Sequence, residues 1–302
     1  MSITNRLAAW AATLPILAAG AAASAEEPIT VIGKPEPGQI SFQPMVTDVG
    51  KDIAWFHNDV LMPLIVVIAV FVAILMAYTM FRFRAKANPE PRKFSHNTTI
   101  EVVWTLVPAI IVFVLAIIGV RQVYFQDAPP EDLAAISGVE PDGEEIVLKA
   151  IGHSWYWEYE YPEEGISFLS MMVEEADLEP GQPRLLTTDT HVVLPVNTVI
   201  RIQTTASPTD VIHAWTIPAF GVKMDAIPGR LNERWFRVLP GYEGRYYGQC
   251  SELCGARHAF MPITVDIVSR EEYDAWLAGA REEFGSNETP RPAATIVAMG
   301  AE

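Results

Sequence analysis

Two long stretches without a charge set the first limit on what this chain can fold into. Residues 61–80 (LMPLIVVIAVFVAILMAYTM) and 102–120 (VVWTLVPAIIVFVLAIIGV) hold no Asp, Glu, Lys, Arg or His. As helices rising ~1.5 Å per residue, both cross the ~30 Å hydrocarbon layer of a bilayer. Inside that layer every backbone N–H and C=O must find a partner within the protein, which leaves the α-helix as the conformation open to each segment. The core helix of a soluble domain rarely runs so far without a charge. Pro63 and Pro108 lie inside the stretches, where neighbouring helices can satisfy the freed backbone groups.

The flanks of these stretches give the topology. Arg82, Arg84, Lys86, Arg92 and Lys93 crowd the segment between them against two acids, Glu90 and, at its far end, Glu101. Such a bias holds a short loop in the cytoplasm, so both ends of the helical hairpin face the exported side. Residues 1–25 agree: Arg6 is the only charge, residues 7–22 are apolar, and Ala23-Ser24-Ala25 precedes Glu26 as a cleavage site. That is the pattern of a secretory signal peptide. The expected organisation is a signal over 1–25, an exported segment over 26–58, a hairpin over 59–121, an exported domain over 122–284 and a disordered tail over 285–302. Two helices have little to bury against each other, so lipid and a larger membrane partner are expected to cover them.

After residue 122 the pattern changes. Short β-branched and aromatic runs at 146–151, 155–161, 190–194, 198–204, 234–238, 244–248 and 263–268 are bounded by Gly, Pro and Asn. This predicts an all-β sandwich or barrel. Residues 270–284 (REEYDAWLAGAREEF) predict a closing amphipathic helix with Ser269 as N-cap. The formal net charge is −16, and residues 127–179 hold 15 acids against Lys149. An acidic exported face steers basic partners, and the absence of a basic patch excludes nucleic acid. No C-x-x-C-H occurs, so no haem is attached covalently.

The only two cysteines, Cys250 and Cys254, stand four residues apart, with His258 and Met261 close behind. The spacing of the cysteines alone is equally compatible with a disulfide or a core role. A disulfide uses neither the His nor the Met, and zinc has no use for a thioether. Thiolate, imidazole and thioether together favour copper.

Hairpin, β domain, aromatic run and cysteine loop together closely resemble subunit II of the copper A-containing haem–copper cytochrome c oxidases of bacterial aa3 type, over residues 41–277. Residues 152–161 (GHSWYWEYEY) resemble the family's aromatic segment. Residues 210–215 (DVIHAW) and 225–230 (DAIPGR) resemble the segment that supplies a first histidine. Residues 248–255 (GQCSELCG) and 258–262 (HAFMP) match the copper loop almost letter for letter.

The resemblance implies a membrane-anchored, cupredoxin-like β-sandwich carrying two copper ions bridged by Cys250 and Cys254. One ion would also take His213 and Met261, the other His258 and the backbone carbonyl of Glu252. It implies a Mg²⁺ on the Glu252 side chain, shared with subunit I, and electron entry from cytochrome c at Trp155. Asp210, Glu158, Glu160 and Glu174 would form the docking face, and Glu101 the mouth of a proton path. Subunits I and III would be partners in a bacterial inner membrane, passing electrons to haem for O₂ reduction. The turn at 238–244 looks slightly longer than the family pattern, which touches no ligand. A quinol-oxidase-type subunit keeps the fold without the copper ligands, all of which are present. A copper-trafficking module needs exposed ligands and no hairpin, and nitrous-oxide reductase needs a propeller domain for which there is no room.

Overall fold

The structure is a computed structural model that describes residues 29–90 and 93–285. The expected signal over 1–25 and all but the first residue of the expected tail over 285–302 lie outside the described residues.

A short strand, β1 (Val31–Gly33), is followed by helix α1 (Asp48–Trp55), which runs through a π-helical turn (Phe56–Leu61) into α2 (Met62–Arg82). α3 (Thr98–Asp127) returns, and a one-turn helix, α4 (Ala134–Ser137), follows it. None of the most apolar part of either long helix is buried. Both helices outrun their apolar stretches at the end away from the basic loop, and a polar side chain caps the N-terminal end of each. Thr47 accepts a bond from the Gly50 amide at 2.8 Å and donates to the Phe220 carbonyl at 2.6 Å. Asn97 caps α3 by accepting from the Ile100 amide, while Glu101 accepts from the Asn97 amide at 3.1 Å.

The β domain comprises β2 (Ile146–His153), β3 (Tyr156–Tyr161), β4 (Ile166–Ser170), β5 (Val192–Pro195), β6 (Ile200–Ala206), β7 (His213–Ile217), β8 (Val222–Ala226), β9 (Asn232–Phe236), β10 (Gly244–Gln249) and β11 (Pro262–Val268). One sheet has the order β4-β3-β2-β6-β9 and the other β1-β10-β11-β5, with β7-β8 as a separate hairpin. β3 alternates strictly, burying Trp157, Tyr159 and Tyr161 and turning Tyr156, Glu158 and Glu160 outward. This is the signature of a sheet with one face on the core. Trp215, Phe220, Phe236 and Tyr246 meet these aromatics from the other elements. The expected sandwich is present, and so is helix α5 (Arg270–Phe284), whose N-cap Ser269 forms a full capping box with Glu272.

β1, β4, β7 and β8 were not marked by the sequence pattern. They are three to five residues long, and β7 and β8 are separated by a single turn at Pro218–Phe220. A window that short carries no resolvable period.

The hairpin and the β domain share a polar seam. Arg237, fully buried, pairs with Asp48 at 2.9 and 3.2 Å and also donates to the Val139 carbonyl and the Ser137 hydroxyl. Trp235 donates from its indole to the Phe125 carbonyl at 2.6 Å, while between the helices themselves Gln122 of α3 donates to the Asp52 carboxylate of α1. The turn after β9 lies on the start of α1. Leu239 bonds to the Val46 carbonyl, and Lys51 sits 5.2 Å from the Tyr242 ring centre.

Two outcomes follow for stability. Arg237→Ala strands the Asp48 carboxylate and is expected to cost about 3–5 kcal/mol, whereas Arg237→Met with Asp48→Leu should lose far less. Chemical unfolding of the detergent-solubilised chain measures both. In the sheet, burial pushes the Asp266 carboxyl up, but His191 and Arg245 outweigh it and hold it below its ordinary value. Its contribution is therefore complete above the unfolded value of ~3.9 and fades as pH falls through the lower folded one. The stability gap between the native chain and Asp266→Asn should be about 2–3 kcal/mol at neutral pH and narrow below about pH 4. A gap that stays constant down to acid pH contradicts this linkage.

Candidate metal centre

Three segments far apart in sequence converge at one end of the sandwich. β7 begins at His213, which is completely buried. β10 ends at Gln249, and the chain then loops through Cys250 and Cys254 before a single 3₁₀ turn, His258–Phe260, leads into β11. Backbone bonds fix this loop: the Cys250 amide donates to the Met261 carbonyl, the Ser251 amide to the Ala214 carbonyl, and the His258 amide to the Gly255 carbonyl. Gly255 permits the reversal with φ +111°, a value that L side chains rarely adopt.

The result is a compact donor set. The two cysteine sulfurs lie 3.7 Å apart as free thiols, not as a disulfide. Cys250 Sγ is 3.9 Å from His213 Nδ1 and 3.3 Å from the Glu252 carbonyl oxygen. Cys254 Sγ is 3.5 Å from His258 Nδ1 and 3.5 Å from Met261 Sδ. All six donors named from the sequence are thus brought together. Cys250, Cys254 and Met261 are buried, and His258 is half-buried.

The electrostatics suit a cation. Burial lowers the His213 pKa against the opposing pull of Asp210, which keeps the imidazole neutral with a lone pair to give. Its Nε2 is buried without a hydrogen-bond partner and lies 3.6 Å from Asp210 Oδ1. Burial, and then the neighbouring Cys250, push the Cys254 thiol up to about 12. A cation beside the Cys254 sulfur would favour the thiolate instead. Two thiols, two imidazoles, a thioether and a carbonyl are a soft set that fits copper. Zinc would leave Met261 unused.

The β2–β3 turn closes over the loop. Trp155, half-buried, donates from Nε1 to the Cys254 carbonyl at 3.0 Å. A Cβ on Gly255 would come within 3.3 Å of its ring. Trp157 is buried edge-on to His213, with ring centres 6.1 Å apart. Gly152 lies directly against the His213 ring, where a Cβ would stand 2.8 Å from Cδ2. Its importance was not readable from the sequence, because nothing in spacing connects residue 152 with residue 213.

The remaining expected residues are spread out. Glu158 pairs with His153 at 3.0 Å and Glu160 with Lys149 at 2.8 Å, both on the outward face of β3. Glu174 reaches Arg257 of the cysteine loop at 3.1 Å. The Glu252 side chain is exposed. Asp210 is largely enclosed; burial pushes its pKa up, but bonds from the Ser154 hydroxyl and the Val211 and Ser154 amides bring it below the usual carboxylate value. Glu101 stands in the first turn of α3, whose far end meets the β domain ~36 Å away. It therefore takes no part in the donor cluster.

Comparison with known proteins agrees with this arrangement. Residues 146–268 match the family model for the cytochrome c oxidase subunit II periplasmic domain, and residues 35–128 match the one for its transmembrane domain. Cytochrome c oxidase subunit 2 of Cereibacter sphaeroides is 42% identical over 284 residues, covering 88% of each chain. Cytochrome c oxidase subunit 2 of Arabidopsis thaliana is 43% identical over 249 residues, covering 80% of this chain and 90% of its own. The crystal structure of the periplasmic domain of subunit II of cytochrome oxidase of Bradyrhizobium japonicum is 49% identical over 49% of this chain and 99% of its own, with a TM-score of 0.43. A two-helix membrane anchor, a β-sandwich and a buried His–Cys–Cys cluster, joined to these matches along most of the chain, place it in the cytochrome c oxidase subunit II family.

Proposed function

We propose that this chain accepts electrons from cytochrome c on the periplasmic side of a bacterial inner membrane, holds them at a dinuclear copper A centre, and delivers them to haem in subunit I. There O₂ is reduced to water with coupled proton pumping, and subunit III completes the complex. One observation carries the reading: two imidazoles, a thioether and a backbone carbonyl lie within 3.9 Å of two buried free sulfurs that are themselves 3.7 Å apart. Cys250, Cys254, His213, His258, Met261 and the Glu252 carbonyl would together hold the two ions. When bound, such a pair supplies one-electron exchange with little change in geometry.

The protein's share of the work is to hold that geometry still. His213 is fixed at the start of a strand, and Met261 immediately precedes another. The cysteine loop between them is tied by three backbone bonds. Ligands this constrained and buried do not suit metal trafficking, which requires exchange.

Trp155 is the entry point in this reading. Its indole bonds to the carbonyl of a ligand residue and is half open to solvent, so it connects surface with centre. Asp210, Glu158, Glu160 and Glu174 would attract a basic donor, with a rate that falls as salt rises. The exposed Glu252 side chain would share a Mg²⁺ with subunit I, and Glu101 would open a proton path at the cytoplasmic end. Residues 1–25 would be removed on export.

Copper loading of the purified chain is expected to give two copper ions per chain and a mixed-valence signal shared equally between them, lost in Cys250→Ser. A single-copper blue spectrum, or a disulfide that takes up no copper, rejects the proposal. Trp155→Ala in the assembled oxidase should slow electron entry at least about tenfold while two copper ions stay bound. Unaltered cytochrome c oxidation kinetics would remove Trp155 from the path.

A further inference from the structure

β2 carries a glycine, Gly152, where the strand reaches the metal centre. Its φ is not positive, and it pairs on both sides, with Trp157 of β3 and with Ala206 of β6. The backbone there does not call for glycine, and glycine inside a strand costs stability. What it supplies is space. A Cβ at position 152 would stand 2.8 Å from His213 Cδ2 and 3.0 Å from both Cβ and Cγ of the same residue.

Gly152 ends a gradient of side-chain size. On the core side of the sheet, cross-strand partners of β2 and β6 shrink in step toward the metal end. Leu148 lies beside Ile202, then Ala150 beside Thr204, then Gly152 beside Ala206, and all six are buried. β3 has no such taper: its inward residues run Tyr161, Tyr159, Trp157 in the same direction. The β7–β8 hairpin sits in the resulting depression. Thr204 donates to the Asp225 carbonyl of β8 at 2.8 Å, and His213 of β7 lies against Gly152 with its ring edge-on to Trp157. The imidazole thus fills the volume that a side chain at 152 would take. β2 cannot easily yield, because it has a ladder on each side and its Gly152 carbonyl also accepts from the Ser207 amide at 3.0 Å.

We infer that Gly152 is a positioning residue for the metal centre: by having no side chain it sets how deeply the His213 imidazole seats against the sheet, and so how far Nδ1 stands from the Cys250 sulfur, 3.9 Å here. The functional half of this inference rests on the copper reading above; the packing half does not.

The packing half is tested in the metal-free full chain in detergent. Gly152→Ala should lower the chemical unfolding midpoint, and His213→Ala in the same chain should remove most of that shift, because the truncated residue no longer meets the added methyl. Should Gly152→Ala alone fail to fold, the double variant should fold. Shifts that merely add, or a double variant that also fails to fold, overturn the inference.

The functional half is tested with copper. Gly152→Ala should weaken copper binding at least about tenfold and make the mixed-valence signal unequal between the two ions, since one imidazole moves and His258 does not. Gly33→Ala is the comparison. A Cβ there would stand 2.3 Å from the Tyr246 ring, on β1, which carries no donor. It should lower the unfolding midpoint and leave copper affinity and spectrum as in the native chain. Native affinity and spectrum in Gly152→Ala, or equal changes in Gly33→Ala, reject the positioning role. If the native chain takes up no copper, the proposed function falls and the unfolding series decides the packing role.

Discussion

The buried ion pair between Arg237 and Asp48 is the constraint on which the placement of everything else depends. A guanidinium with no solvent exposure must find acceptors, and Arg237 has four: both Asp48 oxygens, the Val139 carbonyl and the Ser137 hydroxyl. Those partners belong to the start of the first membrane helix and to the linker after the second. A charge that cannot leave this site without a large desolvation cost thereby fixes the β domain on its anchor. Trp235 on the Phe125 carbonyl and Thr47 on the Phe220 carbonyl brace the same seam. A loosely tethered domain would satisfy the metal as well, but would leave its distance from any membrane partner undefined.

The metal centre is built on the same logic at smaller scale. His213 opens strand β7, Cys250 directly follows β10 and Met261 directly precedes β11, so the strands carry the precision. Two glycines make the approach possible. Gly152 admits the His213 ring against the backbone of β2, and Gly255 lets the cysteine loop turn beneath Trp155. Burial of Cys250, Cys254 and Met261 excludes water, which strengthens each electrostatic interaction inside the cluster. The same burial makes the Cys254 thiol costly to ionise without a cation beside it.

Much of this was legible in the residues. The two uncharged stretches could only be helices, because a bilayer leaves unpaired backbone no other partner. The aromatic alternation of residues 156–161 named a half-buried strand, and Ser269 with Glu272 named a helix start. Cys250, Cys254, His258 and Met261 announced a soft metal through chemistry alone, since their spacing is local. His213 was different: only the family resemblance singled it out, because one histidine in a β domain carries no signal of its own. The short strands β7 and β8 escaped for a related reason, being too brief for a period to register.

The sequence by itself thus determined which segments cross the membrane, which class of fold follows them and which element the cysteine loop can hold. Those properties depend on hydropathy, side-chain period and donor softness, all of which are local. The tertiary structure alone decided that residue 213 faces residue 250, that Gly152 lies under an imidazole 61 positions away, and that Asp210 is turned inward to Ser154 while Glu158 and Glu160 face out. It also decided that Arg237 and Asp48, unremarkable as isolated charges, meet without water. Such contacts join residues far apart in the chain, and the packing of two sheets against one pair of helix ends is the only agent that brings them together.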